Sequence, residues 1–252
     1  MVRQIIRAYE RARDDLLAMF MQRVAVLGPE PDMGQIRQLM NDMALIQAIV
    51  ERLAELQSQF TQIAQTGLTH AAESGWNDAQ AELLKLVGQQ DVGFDFVIDP
   101  RMDWAIVPAM EQIPGLIDAL RAQLLAAMRE SLAAGDRFRD IAKALLKEGG
   151  SGPFPNGMRS AELMARRAVI QANNNARLQF MEEARKRLPH LRKRANAARD
   201  GRVTATCRAV DGQVRRLDQP FETPGPEAFA RRQMQPPFHW NCRTVVSPYL
   251  EE

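Results

Sequence analysis

The sequence predicts a mainly α protein, a long-helix N-terminal body carrying a small, irregular α+β C-terminal module. Three observations carry that expectation. Apolar residues recur at helical spacing through the first two thirds of the chain. Beyond Pro189 the period is lost, and short β-branched runs alternate with turn residues. Glycine and proline gather at a few breaks, above all "LGPEPDM" and "GGSGPFPNG". The expected organisation is a helical region over 1–92, a connector with helices over 93–150 and the terminal module over 151–252.

Taken in order, Val2, Ile5, Ile6, Tyr9, Leu16, Phe20 and Val24 form one helical stripe, which Gly28, Pro29 and Pro31 end. Ile36, Leu39, Met43, Ile46, Val50, Leu53 and Phe60 then follow three- and four-residue steps, interrupted by polar Gln57. That is a heptad seam, expected to pack lengthwise against the first helix or a second subunit. A third helix is expected over Thr69–Val87, with Trp76, Leu83 and Leu84 inward. "FDFVID" alternates apolar and acidic residues and reads as a short strand or an extended connector.

Pro108 and Pro114 punctuate the next stretch. A strong helix follows from about Leu116 to Ala133, on Leu120, Leu124, Met128 and Leu132. Gly135 suits a helix stop and Asp136 the next N-cap, with Phe138, Ile141, Leu145 and Leu146 as the buried side. "GGSGPFPNG" reads as a linker, and Ser160 as the cap of a long helix ending near Pro189. "RVTATCRAV" and "RTVVSPY" read as strands, separated by the turn-rich "DGQVRRLDQPFETPGPE".

Of 252 residues, 46% are hydrophobic and 25% charged, the profile of a soluble globular protein with a sizeable core. The formal net charge of +2 hides an asymmetry: Arg159–Arg216 holds 15 Lys and Arg against 5 Asp and Glu. Such a segment suits an acidic partner, either nucleic acid or an acidic protein surface, or is simply a solvated face. The start is charged from its third residue, unlike a signal peptide, and the apolar runs are too short and interrupted to span a bilayer. Folding in a cytoplasm is expected. Two cysteines make no disulfide framework.

The chemistry-bearing residues gather late. In "PPFHWNCRTVVSPYL", His239 and Cys242 stand at His-x-x-Cys spacing, which lets two ligands share one metal. With Cys207 they make three candidate metal ligands, and Asp211, His190 or water could supply a fourth. The same residues allow a disulfide, or buried thiols beside a histidine bonded to backbone. Cys207 as nucleophile with His239 as base is a further reading, but the sequence shows no helix N-terminus or orienting group beside Cys207. Asp211–Gly212 suits a turn between strands. Arg243 could bind carboxylates or carbonyls and hold the tail down, and Trp240 is expected in the core. "GGSGPFPNG" lacks the lysine and spacing of a phosphate loop. Arg185, Lys186, Arg187, Arg192, Lys193 and Arg194 are candidates for duplex phosphates, bound without sequence preference. Their run carries no aromatics for stacking single-stranded bases.

"GDRFRDIAKAL", "ARRAVIQANNNARLQ", "ARDGRVTATCRAVDGQV" and "PPFHWNCRTVVSP" follow one another from Gly135 to Pro248. In this order they resemble the phage Mu F-like head morphogenesis family, the minor capsid proteins of tailed bacteriophages. The resemblance implies a structural clasp of Cys207, Asp211, Gly212, His239, Cys242 and Arg243. Many members have Cys-x-x-Cys at the first element and Cys-Arg-Cys at the last, where this chain has Thr204 and Thr244. A structural zinc is the cofactor this pattern would take. The implied role is non-enzymatic: assembly in the host cytoplasm and residence in the virion, inside the capsid or at the portal vertex. The implied partners are the portal protein, other head proteins and packaged double-stranded DNA. The alternative is a metal-dependent nuclease or other hydrolase using the C-terminal Cys/His/Asp cluster. Effector domains follow this module in some toxins; ten residues follow Cys242 here, so none is expected.

Overall fold

A computed structural model of the chain describes residues 1–28, 32–40, 42–88, 102–134 and 152–250. The helices are α1 (Val2–Ala25), α2 (Met33–Met40), α3 (Met43–Val87), α4 (Asp103–Met110), α5 (Gln112–Ala134), α6 (Pro153–Arg185) and the short α7 (Ala205–Val210). The strands are β1 (Leu191–Asn196), β2 (Val214–Arg216), β3 (Phe221–Glu222), β4 (Arg232–Gln233) and β5 (Val245–Leu250). The protein is therefore mainly helical, with a few antiparallel strands near its C-terminus. The "FDFVID" segment and the Gly135–Leu146 helix of the sequence reading lie outside the described residues.

Contacts divide the chain into two compact units. One comprises Met1–Ala64 and Met110–Met164, the other Gln65–Ala109 and Ala165–Glu252. In the first unit, α1 buries Ile5, Tyr9, Leu16, Phe20 and Val24 of the predicted stripe together with Ala8 and Ala12, while Val2 and Ile6 are half-buried. The Tyr9 ring lies 5.3 Å from Phe60 and 6.1 Å, edge-on, from Phe154. Burial pushes the Tyr9 phenol above its ordinary range.

The seam on α3 differs from the predicted one. Leu45, Ile49, Leu53, Leu56 and Phe60 are buried, while Met43 is exposed. Two apolar stripes run side by side here, and periodicity alone does not choose between them. Ile36 and Leu39 belong to the separate α2, because Asp42 opens a new helix with its carboxylate accepting the Ala44 amide (2.9 Å). The expected third helix is the second half of α3, which continues without a break through Phe60–Thr69.

Two proline segments also end up helical. Pro108 lies within α4. "PFPNG" opens α6, so Ser160 is an interior residue and not a cap. Prolines at the first turn forfeit amides that have no intrahelical partner anyway.

The second unit packs small residues closely. Ala165, Ala168, Ala172, Ala176 and Ala184 of α6 are all buried. A Cβ on Gly75 of α3 would sit 2.2 Å from the Asn173 carbonyl oxygen, so only glycine permits this approach. Trp76 meets Phe180 edge-on at 5.4 Å. A three-stranded antiparallel sheet completes the unit in the order β2-β1-β5, with Lys193 of β1 opposite Arg215 and Pro248. β3 and β4 form a separate hairpin.

Candidate functional site

The predicted strand "RVTATCRAV" is a helix from Ala205. Its β-branched residues suggested a strand, but Thr204 caps the turn: its hydroxyl accepts the Cys207 amide at 3.2 Å. Cys207 is thus held on the first turn of α7. Asp211 and Gly212 end that helix, so the turn joins a helix to β2 and not two strands. Gly212 has φ +78°, and its amide donates to the Ala195 carbonyl (2.8 Å). The Asp211 carboxylate accepts the Ala197 amide (2.9 Å).

The tail segment returns to this point. Cys207 Sγ lies 2.8 Å from His239 Nε2 and 3.8 Å from Cys242 Sγ, and all three residues are buried. The ligand atoms of the three residues lie within 4.8 Å of one another. The Thr244 hydroxyl donates to Cys207 Sγ (3.0 Å), and the Thr204 hydroxyl is 3.0 Å from His239 Nε2. His239 Nδ1 sits 2.6 Å from the Trp240 carbonyl, which makes Nδ1 the protonated donor and frees Nε2 as an acceptor. The sulfur–sulfur contact pushes the Cys207 thiol up and draws Cys242 down to about 5, while burial raises both. The orienting carbonyl and the helical first turn, both unseen in the sequence, are present here.

Not every predicted ligand comes to this cluster. Among the described residues the group contains Cys207, His239 and Cys242 alone. Asp211 is occupied with backbone, and His190 is exposed before β1. Arg243 forms a two-pronged pair with Asp200, at 2.5 and 2.7 Å, and holds that carboxyl well below the usual carboxylate range. Trp240 is not core: it is 51% exposed, edge-on to Phe229 at 5.4 Å, with the Arg167 guanidinium over both rings.

Three successive asparagines on α6 hold the surroundings in place. Asn173 donates to the Ala71 carbonyl (3.1 Å) and Asn175 to the Ala105 carbonyl (3.3 Å). Asn174 accepts the Val246 amide (2.8 Å) and donates to the Thr244 carbonyl (3.4 Å). Arg177 donates to the Val246 carbonyl (3.1 Å) and pairs with Glu82 and Asp78. Asn174 and Arg177 therefore fix the start of β5 and Thr244, the residue after Arg243. Sequence reasoning gave them no role, although three asparagines inside a helix are an unfavourable choice that asks for one.

A model of the family described as "Phage Mu protein F like protein" matches residues 122–247, half of the chain. The protein belongs to the phage Mu F-like family. No curated protein and no solved structure matches it significantly. Membership makes it a phage head morphogenesis protein. The matched stretch holds the Cys207 cluster, the asparagine ladder and, among the described residues, four of the five strands in full. Among the described residues, no helix is long and apolar enough to cross a membrane.

The basic run of this Mu F-like chain is split by the fold. Lys193 faces inward and is fully buried, its ammonium donating to the Leu217 and Met234 carbonyls at 3.0 and 2.7 Å. It is therefore withdrawn from the candidate phosphate-binding surface. Strand alternation sends Arg192 and Arg194 to the opposite face, where register sets Arg192 beside Arg216. Arg185 and Lys186 pair with Glu182 and Glu183 on α6, while Arg187 lies exposed just beyond it.

Proposed function

We propose that the protein is a minor head component of a tailed phage or prophage. It sits at the portal vertex, inside the capsid, and turns the outer face of its three-stranded sheet toward packaged duplex DNA. The reading starts from family membership. The observation that carries its DNA side is the β1 register, which gathers Arg192, Arg194 and Arg216 on one sheet face. Arg194 lies over the Tyr249 ring at 5.6 Å, which stiffens its side chain. Sheet arginines held this way meet phosphates without reading bases. The Cys207 cluster and the Arg243–Asp200 pair act as the clasp of the terminal segment, beside apolar contacts such as Phe221 on Phe238.

Two measurements test it. Co-expression with the portal protein of the same phage should yield a complex that survives size-exclusion chromatography. Binding of the purified chain to random-sequence duplex should weaken steeply between low and physiological salt, with a shallower slope for Arg192→Glu/Arg194→Glu. Duplex affinity that ignores salt, or that the double variant leaves unchanged, defeats the DNA side. A portal ring that never retains the chain defeats the vertex assignment.

A further inference from the structure

We infer that Cys207, His239 and Cys242 bind one thiophilic divalent cation of the zinc type, with an open fourth position. Four features of this chain converge on it. The sulfurs are 3.8 Å apart, close to the edge of about 3.8 Å that a tetrahedron with Zn–S bonds of about 2.3 Å requires. Both sulfurs are free, so neither is committed to a covalent bridge. His239 Nδ1 is committed to the Trp240 carbonyl, which aims the Nε2 lone pair at the sulfurs. This is the backbone support that metal-bound imidazoles require. All three donors are buried, so their convergence is built by the fold and is not a chance meeting of surface side chains. The fit needs adjustment: Cys207 Sγ and His239 Nε2, now 2.8 Å apart, must separate by roughly 0.7 Å, and His239 Nε2 and Cys242 Sγ, within 4.8 Å of each other, must come to about 3.6 Å to share a tetrahedral ion.

The donor set selects the cation. Two thiolates and an imidazole favour zinc-type ions and disfavour magnesium or calcium, which want oxygen. Both sulfurs are thiolates once the ion is bound, so the core of two thiolates, one neutral imidazole and the dication carries no net charge. Cys207 and His239 border a small cleft that Thr204, Asn241, Arg243 and Thr244 also line. The Thr204 and Thr244 hydroxyls already border the cluster, and either residue replaced by cysteine would close it with a third sulfur.

The test uses the full chain expressed in zinc-supplemented medium and purified without chelator. Mass spectrometry of metals should find about one zinc per chain. Cobalt(II) added to the stripped protein should give the intense visible bands of a tetrahedral thiolate site. Cys242→Ser should weaken cobalt binding at least tenfold, and Thr244→Cys should tighten it at least tenfold. Thr244→Cys keeps all three donors, so the test does not depend on a variant that fails to fold. Substoichiometric zinc with weak, octahedral cobalt spectra and two titratable thiols overturns the proposal. So does a chain two protons lighter with no free thiol, which would be a disulfide. Both readouts are independent of portal and DNA binding, so failure here leaves the proposed function standing, and the reverse holds.

Discussion

The two units of this chain are held together by different means. The unit built from Met1–Ala64 and Met110–Met164 stands on large apolar side chains, with Tyr9, Phe60 and Phe154 meeting at its centre. The unit of Gln65–Ala109 and Ala165–Glu252 also buries large apolar side chains, among them Trp76, Phe180, Phe221 and Phe238, but adds alanines along α6 and the buried polar groups Asn174, Arg177, Lys193 and Thr244. Area burial is non-directional, so the first unit should tolerate any apolar substitute of similar volume. Hydrogen bonds are directional and costly to orphan, so the second should not tolerate substitutes of similar shape and different polarity. The region that carries the candidate site is the one whose geometry is specified by polar contacts.

The largest expected effect tests the first half of that contrast. Phe60 is fully buried against Tyr9. Phe60→Ala should cost about 3–5 kcal/mol, from lost transfer and the cavity left behind. Phe60→Leu should cost roughly 1.5 kcal/mol or less once neighbours repack. Urea unfolding of both variants gives the numbers. If leucine costs as much as alanine, the first unit is as shape-specific as the second and the contrast fails.

The second prediction reverses the logic. Asn174→Leu keeps the volume and removes the polar atoms, leaving the Val246 amide and the Thr244 carbonyl without their partner. The expected loss is about 2–3 kcal/mol, the desolvation cost of the buried groups left unpaired. Hydrogen exchange should show β5 amides losing protection first, since Val246 sits in that strand. A neutral Asn174→Leu would mean that packing, and not polar pairing, fixes the second unit.

The same contrast explains what the sequence disclosed. The stripe on α1 was legible because apolar burial follows a period, and the separation of Cys207 from His239 and Cys242 was legible as three donors of one chemistry. The polar framework was not legible. Asn173, Asn174 and Asn175 face three different elements, and nothing in "QANNNAR" says which. Lys193 in "HLRKRAN" reads as one more surface cation, yet the strand alternation beneath it turns that position inward. The α7 helix is not legible because Val203, Thr204 and Thr206 favour strands, while the capping bond from Cys207 to Thr204 is a single local contact. Polar specificity depends on pairings between distant segments, and a single sequence does not record them.

The smallest effect belongs to Lys193 and sharpens the comparison through pH. Its ammonium lies beneath the sheet on two carbonyls and 5.1 Å from the Phe221 ring, and burial lowers its pKa from 10.5 to about 8 despite the nearby Glu182 and Asp218. Between these values the folded chain has released a proton that the unfolded chain keeps. The unfolded state binds more protons in that window, so stability must rise with pH from about 8 to about 10.5. The contribution should approach 1.4 kcal/mol per pH unit at its steepest, and on the order of 1–2 kcal/mol over the accessible part of the window. Cysteines and tyrosines titrate in the same range, so the quantity to measure is the difference in slope between the wild type and Lys193→Met. Unfolding at pH 8, 9 and 10 should show the wild type gaining stability relative to the variant at each step. Parallel curves would mean that Lys193 keeps its proton when folded, held by the two carbonyls against burial, and its charge would then be a fixed part of the polar framework.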